Sequence, residues 1–133
     1  MKRLWLSVFI LLGALLVLGM GGGPQGAIPE PEENHAVHLQ DRSGTGAQVS
    51  QFSMDGNVYF EGWLGDGKVT VFFRNLKSIE FGEISGEDVQ ARLALKSGET
   101  LRVTSRKRAR FYGTTPYGNY QIRASDVARI DFQ

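Results

Sequence analysis

The sequence has no cysteine and only two histidines. Without thiolates it can build neither a disulfide framework nor a cysteine-based zinc site. It also lacks G-x-S-x-G, H-E-x-x-H and a P-loop, so those nucleophile, metal and nucleotide signatures are missing. His35 and His38 lie close together in sequence, but no third ligand stands near them. No metal, no cofactor and no enzymatic activity are therefore expected. Net charge is also lacking. With Lys2 and Arg3 set aside, 13 basic residues face 14 acidic ones. Global charge gives no support for a polyanion-binding protein, and a nucleic-acid partner is not expected.

Lys2 and Arg3 precede an unbroken apolar run from Leu4 to Met20, followed by Gly21, Gly22, Gly23 and Pro24. A basic head, an apolar stretch and small residues beyond it make an export signal. The run is near the lower limit for spanning a bilayer, so residues 1–20 are read as a signal peptide or an N-terminal membrane anchor. Either way the rest of the chain is expected outside the cytoplasm, in the periplasm or secreted, or held at the membrane's outer face. No cysteine follows the run, which excludes a lipoprotein. Residues 21–35 are rich in Gly, Pro and Glu and read as a linker.

The remainder says the same thing twice. Phe60–Phe81, FEGWLGDGKVTVFFRNLKSIEF, aligns without a gap to Phe111–Phe132, FYGTTPYGNYQIRASDVARIDF. The matched positions are apolar or Gly: Phe60 with Phe111, Gly62 with Gly113, Gly67 with Gly118, Ile79 with Ile130. Those are the residues that set cores and turns, so a duplicated β unit is expected. Short alternating runs bounded by Gly-containing turns give five strands in residues 36–81. A connector, 82–87, leads to five more in 88–133. The expected fold is all-β: two tandem five-stranded repeats forming small SH3-like or Sm-like barrels packed together. One ten-stranded sandwich is the alternative. Placing the apolar set of each third-to-fourth-strand hairpin on one face pairs Leu64 with Val69 and Phe60 with Phe73. In the second unit it pairs Thr115 with Tyr120 and Phe111 with Ala124, with four-residue loops in both.

The pattern G-x-T-x-Y-G-x-Y-x-I-x-x-x-D-V-x-x-I-x-F, at Gly113–Phe132, resembles short β repeats of uncharacterised exported bacterial proteins. Those repeats begin with a strand and a Gly turn, as LALKSGETLRV (93–103) does here. The first unit departs from the pattern at Trp63-Leu64-Gly65. The resemblance implies fold and export and carries no activity.

Two surfaces stand out. The hairpin pairing sends Tyr59, Trp63 and Phe72 to the face opposite the core, with Arg74 beside Tyr59. Their counterparts in the second unit include Arg110, Thr114 and Arg123, so the aromatics are no requirement of the repeat. Aromatics on a solvent face suit a recognition surface. The second surface is a basic corner of Arg102, Arg106, Lys107, Arg108 and Arg110, suited to anionic lipid or envelope polymer. The carboxylate pairs Asp126 with Asp131 and Glu80 with Glu83 are read as structural, with Asp126 capping a turn. The function expected is an exported, non-enzymatic binding or structural module of the cell envelope. Its partner is expected to be an envelope protein, with anionic lipid or polymer at the basic corner as the alternative.

Overall fold

A computed structural model describes residues 27–133. The expected signal or anchor and the first part of the linker lie outside the described residues. The strands are β1 (Val37–Asp41), β2 (Gly46–Met54), β3 (Tyr59–Leu64), β4 (Gly67–Phe72), β5 (Leu76–Ser85), β6 (Asp88–Leu95), β7 (Thr100–Arg106), β8 (Arg110–Thr115), β9 (Gly118–Arg123) and β10 (Val127–Phe132). Single 3-10 turns, Phe73–Asn75 and Ala124–Asp126, lead into β5 and β10. The connector expected at 82–87 shrinks to a tight turn. β5 runs on to Ser85, which pairs with Asp88, and Gly86 takes the positive φ of 59° that the turn requires.

The described residues are all-β, but the two halves do not close on themselves. All ten strands form one curled antiparallel sheet in the order β4-β3-β7-β6-β5-β10-β1-β2-β8-β9. Separate barrels would need β2 beside β3 and β7 beside β8. Instead β3 lies beside β7, β2 beside β8, and β5 pairs with β10 at the centre of the sheet. Exchanging β1–β5 with β6–β10, number for number, turns this order into its own reverse. Ile79 faces Ile130 at the midpoint. A single sheet also replaces the sandwich alternative.

The curl wraps one face around a continuous core. Phe52, Phe60, Phe73, Phe111, Leu39, Leu76, Ile79, Leu93 and Ile130 are almost wholly buried there. Phe52 stacks on Phe111 at 5.4 Å and meets Phe73 at the same separation, while Phe132 closes against both Phe52 and Phe73. Burying these rings is the main favourable term in the fold.

Gly62 and Gly113 allow the strands to cross this closely. A Cβ on Gly62 would lie 2.6 Å from the Thr104 carbonyl oxygen, and one on Gly113 would lie 2.7 Å from that of Ser50. At both crossings a strand from one half rests on a strand from the other.

The hairpins are tighter than expected. Leu64 pairs with Gly67 and Phe60 with Val71, which leaves the two-residue loop Gly65-Asp66. Thr115 pairs with Gly118 and Phe111 with Ile122 around Pro116-Tyr117. Gly65 opens the first turn at φ 61°. Pro116 cannot take a positive φ, and Gly118, at φ 141°, absorbs the adjustment. The error of two residues leaves every side chain on its expected face, because strand side chains repeat with period two.

The chain before β1 is held to β2 and to the β2–β3 turn. Phe52 N–H donates to the His35 carbonyl, Gln51 N–H donates to the Asn34 side-chain oxygen, and Pro29 packs beside Gly56. Seven residues separate Ser50 from Val58, against four between Thr104 and Ala109 in the second half. The surplus makes a bulge at Gln51, φ 51°, and lengthens the pairing of β2 with β8.

Candidate functional site

The outer face of β3 and β4 carries the aromatic candidates. Tyr59 and Phe72 are directly opposed, with their rings edge to face at 5.8 Å. The two-residue register change thus replaces the expected Tyr59–Arg74 pair with an aromatic one. Arg74 lies in the following 3-10 turn, its guanidinium 4.7 Å from the Phe72 ring centre. Trp63 pairs with Lys68 on one side and Thr104 on the other, and the Arg106 guanidinium lies 5.4 Å from its ring centre. Between the aromatics, Glu61 is ion-paired with Lys68. Arginine over an aromatic ring contributes about 0.5–1 kcal/mol at exposed sites. The rings are therefore ordered without being buried, and Phe72 remains 38% exposed.

Trp63 stands between two concavities. One runs across β7, β6 and β5 and is bordered by Thr104, Gln90, Arg102, Arg92 and Glu80, enclosing ≈ 470 Å³. The other, ≈ 230 Å³, lies toward the β2–β3 turn between Tyr59, Glu61, Lys68 and Arg106. Beyond the aromatics β4 is an edge strand with no neighbour on its far side among the described residues, as is β9 at the opposite edge.

The basic corner divides in two. Arg102 faces Arg92 across β6–β7 and borders the Trp63 groove, and Arg106 covers Trp63. Both belong with the aromatic face. Lys107 and Arg108 lie 3.7 and 3.5 Å from Glu87. With Arg110 and Ser125 they surround a concavity of ≈ 490 Å³ that also contains Arg123. The expected register set Arg110 against Ser125 and left Arg123, the counterpart of Phe72, out of the basic corner. The observed register sets Arg110 directly against Arg123.

Of the carboxylates considered for chemistry, Glu80 and Asp131 are neutralised. Glu80 is ion-paired with Arg92 and Arg129, and Arg129 also with Asp131. The hydrogen bond to Asp131 is the main influence holding the Arg129 guanidinium charged. Asp126 does not cap its turn through its side chain; its carbonyl accepts the Arg42 N–H instead. His35 sits edge-on to Phe73 at 5.6 Å, and among the described residues no three metal-ligating side chains gather. Asp41 does act as a turn organiser. Its carboxylate accepts from Ser43 N–H, Ser43 hydroxyl and Thr45 N–H, and these bonds, the hydroxyl's first, hold its carboxyl below the usual range.

A family model described only as "Uncharacterised protein" matches residues 31–133. The chain belongs to this family. No curated protein matches it. The family span takes in all ten strands, both crossings at Gly62 and Gly113, and both candidate surfaces. It also includes His35, where the chain joins β2.

Proposed function

We propose that this family member is an exported, non-enzymatic binding module of the cell envelope, and that its β3–β4 outer face takes a protein partner. The observation that carries this reading is the pairing of an aromatic surface with an unpaired edge. Tyr59, Trp63 and Phe72 lie on the two outermost strands of one end of the sheet, and β4 offers its far edge beside them. An extended partner segment added to that edge gains main-chain hydrogen bonds. Its alternate side chains then lie near Phe72, Thr70 and Lys68. The groove between Trp63, Gln90 and Arg102 accepts a further side chain from the partner. Export is supported by the basic and apolar start of the sequence, Lys2 to Met20.

We also read the sheet as a duplicated five-strand unit whose first hairpins have changed places. Supporting this are the self-reversing strand order and the repeated register. Ser50 meets Thr114 as Thr104 meets Trp63, and Leu39 meets Ile130 as Leu93 meets Ile79. Each half of the sheet then corresponds to one small barrel unit completed by the other unit's hairpin. On this duplicated frame the same cross-strand site holds Tyr59–Phe72 in one half and Arg110–Arg123 in the other.

The test is site-specific photo-crosslinking in cells from Thr70 on β4, with Gln121 on β9 as the control position. A defined adduct is expected from Thr70 only, and lost in a folded Trp63→Ala, Phe72→Ala variant. Equal adducts from both edges, or adducts unaffected by that variant, would contradict the reading.

A further inference from the structure

The second half of the outer surface carries a feature that costs stability. Arg110 and Arg123 are directly opposed on β8 and β9, and like charges in that position repel. The equivalent site in the first half carries a mutually stabilising aromatic pair. Among the described residues Arg123 makes no ion pair, and the Arg110 guanidinium bonds the Gln121 side-chain oxygen at 3.4 Å. Lys107 and Arg108 border the same concavity, together with Ser125. Their carboxylate partner, Glu87, is 71% exposed and held at long range by both. Four cations thus meet around one opening, and the carboxylates nearby are Glu87, Asp126 and Asp55. The Asp55 carboxylate already accepts the Arg110 main-chain N–H.

The path of the chain places this opening. Pro29 packs on Gly56 in the β2–β3 turn, and the neighbouring Asp55 N–H donates to the Arg110 carbonyl at 2.8 Å. The chain therefore joins the domain beside Arg110. Only the stretch from Gly21 to Ile28 separates Pro29 from the apolar run ending at Met20. Fully extended, that stretch spans at most about 30 Å.

We propose that Lys107, Arg108, Arg110 and Arg123 form a headgroup site for an anionic phospholipid, engaged while the N-terminal segment holds the domain at the membrane. The ligand group is a phosphodiester. Two guanidiniums on adjacent strands can each give it paired N–H donors, and Lys107 adds a point charge. The negative surface potential of an anionic bilayer supplies attraction only within about a Debye length, and the short tether keeps the site within that range. This inference rests on the anchored reading of residues 1–20 and not on the aromatic face.

The experiment uses the full chain in nanodiscs of phosphatidylcholine alone or mixed with phosphatidylglycerol. Amide hydrogen exchange is followed through residues 107–110 and 123–125. Exchange there is expected to be several-fold slower in the phosphatidylglycerol discs, with β4 unchanged, and the difference to vanish in high salt. The Arg110→Gln, Arg123→Gln variant removes the like-charge pair, so it is expected to melt no lower than wild type. Two lost charges at the surface correspond to about a 25-fold weaker lipid contact, so the protection should disappear. Protection that persists in the folded variant, or that is absent from phosphatidylglycerol discs carrying the protein, overturns the site. Equal protection by inorganic phosphate added to phosphatidylcholine discs overturns the lipid as its source. Protein that does not co-purify with discs refutes the anchored reading itself, and the membrane-held site with it.

Discussion

Replacing Gly62 with alanine tests the packing of the two halves at its tightest point. The added Cβ would sit 2.6 Å from the Thr104 carbonyl oxygen and 2.8 Å from Cε1 of Phe60. Carbon–oxygen contacts in sheets lie near 3.3 Å or beyond, so β3 and β7 must part by roughly 0.7 Å. β7 cannot yield easily, because Thr104 also pairs with Gln90 on its other side. Phe60 cannot yield either, being wholly buried. Overpacking of this kind costs about 1–3 kcal/mol, and the upper end applies where backbone has to move. At ~4–8 °C per kcal/mol for a domain near this size, the melting temperature should fall by about 10–20 °C. Gly67→Ala, in the same hairpin, is the control. Its Cβ would meet nothing closer than the Leu64 carbonyl at 3.6 Å, and no positive φ is involved. That variant should melt at or slightly above wild type, by up to about 1 kcal/mol. Circular dichroism melts of both variants decide the matter. Equal melting temperatures would refute the crossing of β3 and β7 as described.

Four further outcomes follow from the same geometry. Tyr59→Ala with Phe72→Ala should cost about 2 kcal/mol or less in urea unfolding, since edge-to-face pairing is worth ~0.5–1.5 kcal/mol. Phe52→Ala should cost ~3–5 kcal/mol, because it leaves a hole among Phe73, Phe111 and Phe132. Equal losses would make the aromatic face part of the core. The Asp41 carboxyl is held low by the Ser43 hydroxyl and the Thr45 and Ser43 N–H groups. Its stabilising effect is therefore present above the unfolded value, near pH ~4, and is lost as pH falls through the lower folded value. Asp41→Asn should lower stability at neutral pH and flatten that acid limb; an unchanged limb would show the hairpin does not depend on this carboxylate. Tyr120 is pushed up, first by burial and then by the Asp41 charge. Its contribution is present below pH ~10 and lost as pH rises toward the folded value. Tyr120→Phe should therefore blunt the alkaline loss of stability, as seen in melts across that range.

What the sequence revealed, and what it hid, follows from the period of a strand. Alternation and the matched Phe, Ile and Gly positions identify the inner face, which is why Phe60, Ile79, Phe111 and Ile130 lie in the core as their spacing implies. The same alternation cannot distinguish registers two residues apart. That ambiguity hid the Tyr59–Phe72 and Arg110–Arg123 pairs together. Nor does a strand's own sequence name its neighbour. Val37–Asp41 has the same alternation whether it pairs with β5 of its own half or with β10 of the other, so the shared sheet was not legible. The run Arg102–Arg110 read as one basic corner because its residues are adjacent in sequence. The sheet turns Arg102 and Arg106 toward Trp63 and brings Arg123 in from the neighbouring strand β9.

The shared sheet depends on β5 meeting β10. A cross-strand nuclear Overhauser effect between the main-chain protons of Ile79 and Ile130 measures that pairing directly. The shared sheet requires this contact, together with one from Ile79 to Leu93 and one from Ile130 to Leu39. Contacts from Ile79 to Leu39 and from Ile130 to Leu93, with none between Ile79 and Ile130, would instead mean two self-closed halves and would contradict it.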